Sequence, residues 1–294
     1  MRETALLFGA GKSLVGVISD PPSPAAGERP ALVLLNAGLL HRVGPNRLYV
    51  RLARRLAASG FVVARFDLSG VGDSRAASER SGFHERAVAE TRACMDLLAA
   101  RGARRFLVGG LCSGADSALR VAAEDERVVG AALIEPLSAP SAGHLVHSYR
   151  ERLLRPKSWL RLLTGRSEAW SALAELVGGR LRRRGTDAHR GPAPEKTGPP
   201  PASLPPADSP AAQMRRFAAR GGACCLVYSA DNPAHFNYES LLRPQLGDVP
   251  ASLLRVEVIA ETDHVFTPLE AQARLLDVVV GWAEGLAVPG AGSA

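Results

Sequence analysis

The stretch Arg104-Arg105-Phe106-Leu107-Val108-Gly109-Gly110-Leu111-Cys112-Ser113-Gly114-Ala115 decides how this chain is read. It predicts a short buried strand running into a tight turn and then a helix. The spacing Gly110-x-Cys112-x-Gly114 suits that turn, because small residues two positions either side of the centre let it close without side-chain collision. The helix opening near Ser113 directs its first backbone N–H groups toward any negative charge that develops beside it. A cysteine at the centre of such a turn is a candidate nucleophile. The competing expectation is a buried structural cysteine in an ordinary strand-to-helix turn. Ser113 sits off-centre between the glycines, so its side chain is expected to be a bystander.

Composition frames this reading. A chain of 294 residues, 46% of them hydrophobic, suits one large α/β domain with an inserted cap. No apolar run approaches the length that spans a bilayer, and Met1-Arg2-Glu3-Thr4 lacks a secretory pattern, so a cytoplasmic location is expected. Cys94, Cys112, Cys224 and Cys225 have neither disulfide-framework nor zinc-site spacing, which agrees with a reducing compartment and no metal. The net charge is +7 and lysine occurs only at Lys12, Lys157 and Lys196, so arginine carries nearly all the positive charge. Compositional bias explains this most simply; attraction of acidic partners such as coenzyme A or an acyl-carrier protein is the alternative. Gly9-Ala10-Gly11-Lys12-Ser13 has Leu6 where a phosphate-binding loop needs glycine, so no nucleotide site or other cofactor is expected.

Along the chain, residues 5–19 suggest an antiparallel edge hairpin. Ala31–Leu35 is a continuous apolar run of the kind found in a strand covered on both faces. Residues 45–59 then read as an amphipathic helix ended by Gly60, and residues 61–66 as the next strand. A helix near 84–100, the Cys112 segment and a strand over Val128–Ile134 continue the alternation, which implies a mainly parallel sheet with helices on both faces. From about 137 to 215 no strand is evident. Helical stretches there lead into Arg180, Arg182, Arg183 and Arg184, and eight of residues 191–210 are proline, a composition expected to stay partly disordered. A helix near 210–220, strands over Ala223–Ser229 and Leu253–Ile259 and a helix over Leu269–Leu286 resume the rhythm. The expected organisation is a core of residues 1–136 and 211–294, interrupted by a lid over 137–210.

Leu35-Asn36-Ala37-Gly38, Asp67-x-x-Gly70-x-Gly72-x-Ser74, the Cys112 turn and Asp263-His264, in that order, resemble the α/β-hydrolase superfamily. The resemblance covers residues 31–136 and 211–286 and is nearest to the serine-aminopeptidase-like and monoacylglycerol-lipase-like branch. The chain is also similar to hydrolases associated with exosortase systems, in which cysteine can occupy this turn. It departs from the superfamily pattern in holding Asn36-Ala37 where His-Gly is usual, and cysteine in place of serine.

The superfamily order of nucleophile, acid and histidine implies a catalytic set of Cys112, Asp231 and His264. His264 follows the last strand, where the resemblance places the base. Asp231 follows the strand ending at Ser229, although an Asx turn before Pro233 would also explain it. Glu135, directly after the preceding strand, is the rival acid. Asp263 adjoins the histidine, and such neighbours seldom reach each other's ring. Backbone N–H groups of Gly38 and Ser113 are expected to form the oxyanion hole. Asp67, Gly70, Gly72, Asp73 and Ser74 are read as a structural turn, and Cys94, Cys224 and Cys225 as packing residues.

A thiolate is a strong nucleophile and a good leaving group, so thioester, ester or lactone substrates are favoured over peptides. The expected function is an acyl-transfer hydrolase acting through an S-acyl intermediate on a small acyl ester or thioester, with no role for nucleic acid. Transfer of the acyl group to an amine or alcohol is the alternative within this fold. A hydrolase-like binding module without catalysis is the alternative outside it.

Overall fold

The computed structural model describes residues 1–23, 29–76, 82–137, 209–230, 233–247 and 249–286. Eight strands form one sheet in the order β1-β2-β4-β3-β5-β6-β7-β8. The strands β1 (Arg2–Phe8) and β2 (Leu14–Asp20) make an antiparallel hairpin, and β2 runs antiparallel to β4 (Val63–Phe66). From β4 onward, β3 (Ala31–Leu35), β5 (Phe106–Leu111), β6 (Val128–Ile134), β7 (Ala223–Ser229) and β8 (Leu254–Ile259) are all parallel. The mainly parallel α/β sheet expected from the alternation is therefore the observed one.

The central strands read as unbroken apolar runs because both faces are covered. Ala31 to Leu35 and Phe106 to Leu111 are buried at every position. The helices α1 (Leu48–Ala58) and α6 (Leu269–Leu286) cover one face, with Leu52, Leu56, Leu275 and Val279 packed against Leu32, Leu34 and Val63. The other face carries α2 (Phe83–Ala99), α3 (Ser113–Glu124) and α4 (Pro210–Ala219), with Met95, Ala118, Val121 and Met214 against Val33, Val108 and Leu133. Cys224 joins one of these cores and Cys225 the other, as alternate side chains of a buried strand must.

One difference from the expected element list stands out. Residues 233–245 are helical: α5 (Pro233–Asn237) runs into a π-turn over Tyr238–Leu242 and a 3₁₀ turn over Arg243–Gln245. Pro233 and Pro244 punctuate this segment, and its helicity comes from docking, with Ala234, Tyr238 and Leu242 buried in the core. The expected lid falls, from 138 to 208, outside the described residues. Residues 1–139 and 205–294 form one compact unit, and it contains every element named above. Among the described residues no helix is long and apolar enough to cross a membrane.

The chain leaves β3 toward β4 on one side and β5 toward β6 on the other, so the sheet reverses direction of winding between β3 and β5. In open parallel sheets the crevice at the carboxyl ends of such strands receives ligands. Gly38 follows β3 and Cys112 follows β5, and the two flank that crevice.

Candidate active site

Cys112 adopts φ 57° and ψ −124°, a conformation that costs an L-residue energy and persists only when its surroundings impose it. Its N–H continues the sheet by donating to Ile134 O at 2.8 Å, while its carbonyl already accepts the first helical bonds from Ala115 and Asp116. The glycine spacing is enforced by backbone. A Cβ on Gly110 would lie 2.5 Å from the Gly114 carbonyl carbon, and one on Gly114 would lie 2.4 Å from Asn36 O. The turn thus folds onto its own helix and against the end of β3. Gly114→Ala is expected to lower stability by about 1–3 kcal/mol, the usual cost of overpacking a site that backbone surrounds. Thermal unfolding followed by circular dichroism checks this; an unchanged midpoint would show that the turn has room. Tyr49, fully buried on α1, completes the support by accepting the Leu111 N–H at 2.7 Å.

His264 stands in the loop after β8. Phe266, buried in the core, anchors that loop, and Asp263 ties it down by accepting from the Thr267 N–H at 2.8 Å and its hydroxyl at 2.7 Å. Asp263 is thus engaged away from the ring, as its adjacency to His264 suggests. The His264 Nδ1 lies 3.7 Å from Glu135 Oε2, an ion-pair separation longer than a hydrogen bond. The ring also contacts the side chain of Cys112. Contact with Cys112 first, and with the Glu135 carboxylate second, raises the His264 pKa from 6.5 to about 9 against the opposing effect of burial. The shift favours the protonated ring, which lies beside the Cys112 sulfur on one side and a carboxylate on the other.

Glu135 is fully buried and directly ends β6 in a left-handed conformation, φ 51°. Its Oε1 accepts the Ser229 N–H at 2.5 Å, which aims the other oxygen at the histidine loop. Asp116 on α3 steadies this corner by accepting the Leu137 N–H at 3.0 Å, and Asn237 donates to Leu137 O at 2.7 Å. Asp231, the acid preferred from sequence, lies outside the described residues. Among the described residues, Glu135, the rival, places a carboxylate oxygen 3.7 Å from the ring.

The two backbone donors expected to hold an oxyanion stand in different states. Ser113 opens α3, and its N–H, in the first turn of the helix, has no acceptor within the backbone ladder. Gly38 lies in the loop after β3 with φ 57°, and its N–H donates to the Ser113 hydroxyl at 2.9 Å. The Ser113 side chain is consequently no bystander. Sequence could not signal this bond, because the partners meet only when β3 and β5 pair.

Asn36, standing where His-Gly is usual, braces the loop. Its amide donates to Leu40 O at 2.8 Å and its carbonyl accepts the Leu68 N–H at 2.8 Å. Buried Asp67 accepts the Arg42 N–H at 2.6 Å and pairs with the Arg42 guanidinium, which also reaches Asp73 at 2.7 Å. A Cβ on Gly72 would lie 2.4 Å from Asp67 Oδ2, so glycine is required for the turn to close on that carboxylate. These residues shape the floor of the crevice and tie Gly38 in place. Among the described residues no group of three or more His, Cys, Asp or Glu side chains could hold a metal ion.

No family model matches the chain, and no curated protein does. Solved structures do. A proline iminopeptidase from Mycobacterium smegmatis superposes with TM-score 0.57 at 18% identity, over 97% of this chain and 98% of that one. A thioesterase domain from the curacin biosynthetic pathway gives TM-score 0.55 at 15% identity, over 95% and 100%. An alpha-beta serine hydrolase homologue from Coxiella burnetii gives TM-score 0.54 at 13% identity, over 96% and 97%. At these identities the likeness is one of fold.

Proposed function

Because the chain has the α/β-hydrolase fold, we propose that it is an acyl hydrolase with Cys112 as nucleophile, His264 as base and acid, and Glu135 as the orienting carboxylate. The observation that carries this reading is the His264 ring lying between the sulfur and a fully buried carboxylate. Such an arrangement is costly to maintain for packing alone. A buried carboxylate needs a charged or hydrogen-bonding partner, and a strained φ at the cysteine needs a reason to persist.

The chemistry follows from the charges. The thiolate, paired with imidazolium, attacks the acyl carbon; the carbonyl π pair moves to oxygen, which the hole stabilises. Collapse expels the leaving group, which takes the proton from His264. Neutral His264 then removes a proton from water as it attacks the S-acyl group, and the tetrahedral adduct expels Cys112 thiolate. Thiolate is a poor match for amide substrates, because an adduct bearing both sulfur and an amine ejects sulfur first. Thioesters, activated esters and lactones carry leaving groups good enough for the forward path.

Intact-mass spectrometry after brief incubation with a panel of acyl-thioesters tests the proposal. The expected product is a single acyl adduct that hydroxylamine removes and that Cys112→Ser does not form as a thioester. Adducts on Cys94, Cys224 or Cys225 with none on Cys112 would overturn it.

A further inference from the structure

We propose that the Ser113 hydroxyl is itself an oxyanion donor, with the Gly38 N–H standing behind it. The inference rests on the acyl-hydrolase reading above and assigns the hole's second donor to a side chain rather than to the loop backbone.

The Gly38 N–H points at Ser113 Oγ from 2.9 Å, so the position an oxyanion would take to receive that N–H directly is filled by the hydroxyl oxygen. Gly38 is held there by its left-handed conformation, φ 57°, and by the Asn36 and Asp67 network under the loop. A Cβ on Gly38 would lie 3.9 Å from Ser113 Oγ, which places the loop directly over the serine. A hydroxyl that accepts one bond keeps its own proton to give. Accepting from an amide also polarises the O–H, so the relay from Gly38 N–H through Ser113 Oγ–H to an oxyanion is cooperative. Beside it the Ser113 N–H opens the helix, so one residue supplies both a backbone and a side-chain donor.

A second geometry competes with this one: the oxyanion could displace the hydroxyl and bind Gly38 N–H directly. That path needs Ser113 to rotate out and find another partner at the moment of reaction. The relay needs no heavy atom to move, and donors that are already in place when charge develops are the effective ones.

Two probes separate the possibilities. Trifluoroacetophenone reacts with a thiolate to form the S–C bond of a hemithioketal; its carbonyl π pair moves to oxygen, and the imidazolium keeps its proton. That oxyanion must sit in the hole. Iodoacetamide also forms an S–C bond but releases iodide and creates no oxyanion. Fluorine NMR measures the ketone adduct, and mass spectrometry the alkylation rate. Ser113→Ala is expected to weaken the adduct about 100-fold, the usual cost of one oxyanion donor, with alkylation unchanged. Ser113→Thr, which keeps the hydroxyl, is expected to restore most of the adduct.

An adduct of equal or greater stability in Ser113→Ala would make the hydroxyl a plug and overturn the proposal. Equal losses in both reactions would make it a support of the turn, with the same result. Alkylation of Cys112 that depends on His264, with no ketone adduct in the natural chain, would reject the hole while the nucleophile stands. Alkylation indifferent to His264 would reject the nucleophile itself.

Discussion

Cys112→Ala is expected to abolish turnover of an acyl-thioester or a p-nitrophenyl ester, with a loss of at least about 10⁴-fold, the scale seen when a covalent nucleophile is removed and only binding and the hole remain. The fold survives. The sulfur is half-buried, and alanine in the same left-handed turn loses few contacts, so stability changes by about 1 kcal/mol or less. Cys112→Ser is expected to retain weak esterase activity, because the histidine and the hole stay in place. In the proposed mechanism the serine variant starts without a thiolate–imidazolium pair, so His264 must take the hydroxyl proton during attack. Initial-rate assays on the three proteins decide the matter. Undiminished turnover by the alanine variant would remove Cys112 from the reaction.

The second large effect concerns proton position. Carbon-bound proton shifts of His264, followed by NMR, are expected to titrate near pH 9. Removing the sulfur in Cys112→Ala takes away the largest cause of that elevation, and Glu135→Gln removes the next, so each variant titrates at lower pH. The sign for catalysis follows directly. Leaving-group protonation needs imidazolium, so kcat falls as pH rises through about 9 in the natural chain, and falls at lower pH in Glu135→Gln. The sign for stability follows too. Between the unfolded value of 6.5 and the folded value of about 9 the native state holds the extra proton, so this contribution is complete below 6.5 and lost as pH rises through 9. His264→Ala is expected to move the pH dependence of Cys112 alkylation into the range of an ordinary thiol, about 8.5. A titration of His264 near 6.5 in the natural chain would mean that neither partner holds the ring.

Much of this was legible in the order of residues. The bounds of β6, β7 and α6 coincide with the apolar runs read over Val128–Ile134, Ala223–Ser229 and Leu269–Leu286. A parallel strand buried on both faces favours apolar residues along most of its length, so its extent is marked by chemistry. The Gly110-x-Cys112-x-Gly114 spacing was equally readable, since a collision of backbone with any side chain demands glycine at both positions. The helical segment over residues 233–245 was not. It owes its form to Tyr238 and Leu242 reaching the core, and its prolines speak locally for a turn.

The two candidate acids show where sequence reading ends. Both Glu135 and Asp231 follow parallel strands, and both sit where a superfamily pattern allows a carboxylate. Position along the chain cannot rank them, because distance to His264 depends on how β6, β7 and β8 twist beside one another.

What the sequence alone determined, then, is the alternation of strands and helices, the tight turn beneath Cys112 and the histidine after the last strand, because each is dictated by local sterics or burial. Only the tertiary structure decided that Glu135 faces the His264 ring and that the Gly38 N–H meets the Ser113 hydroxyl. Those contacts join strand ends that are remote in the chain, and the pairing of the sheet alone brings them within a few ångströms.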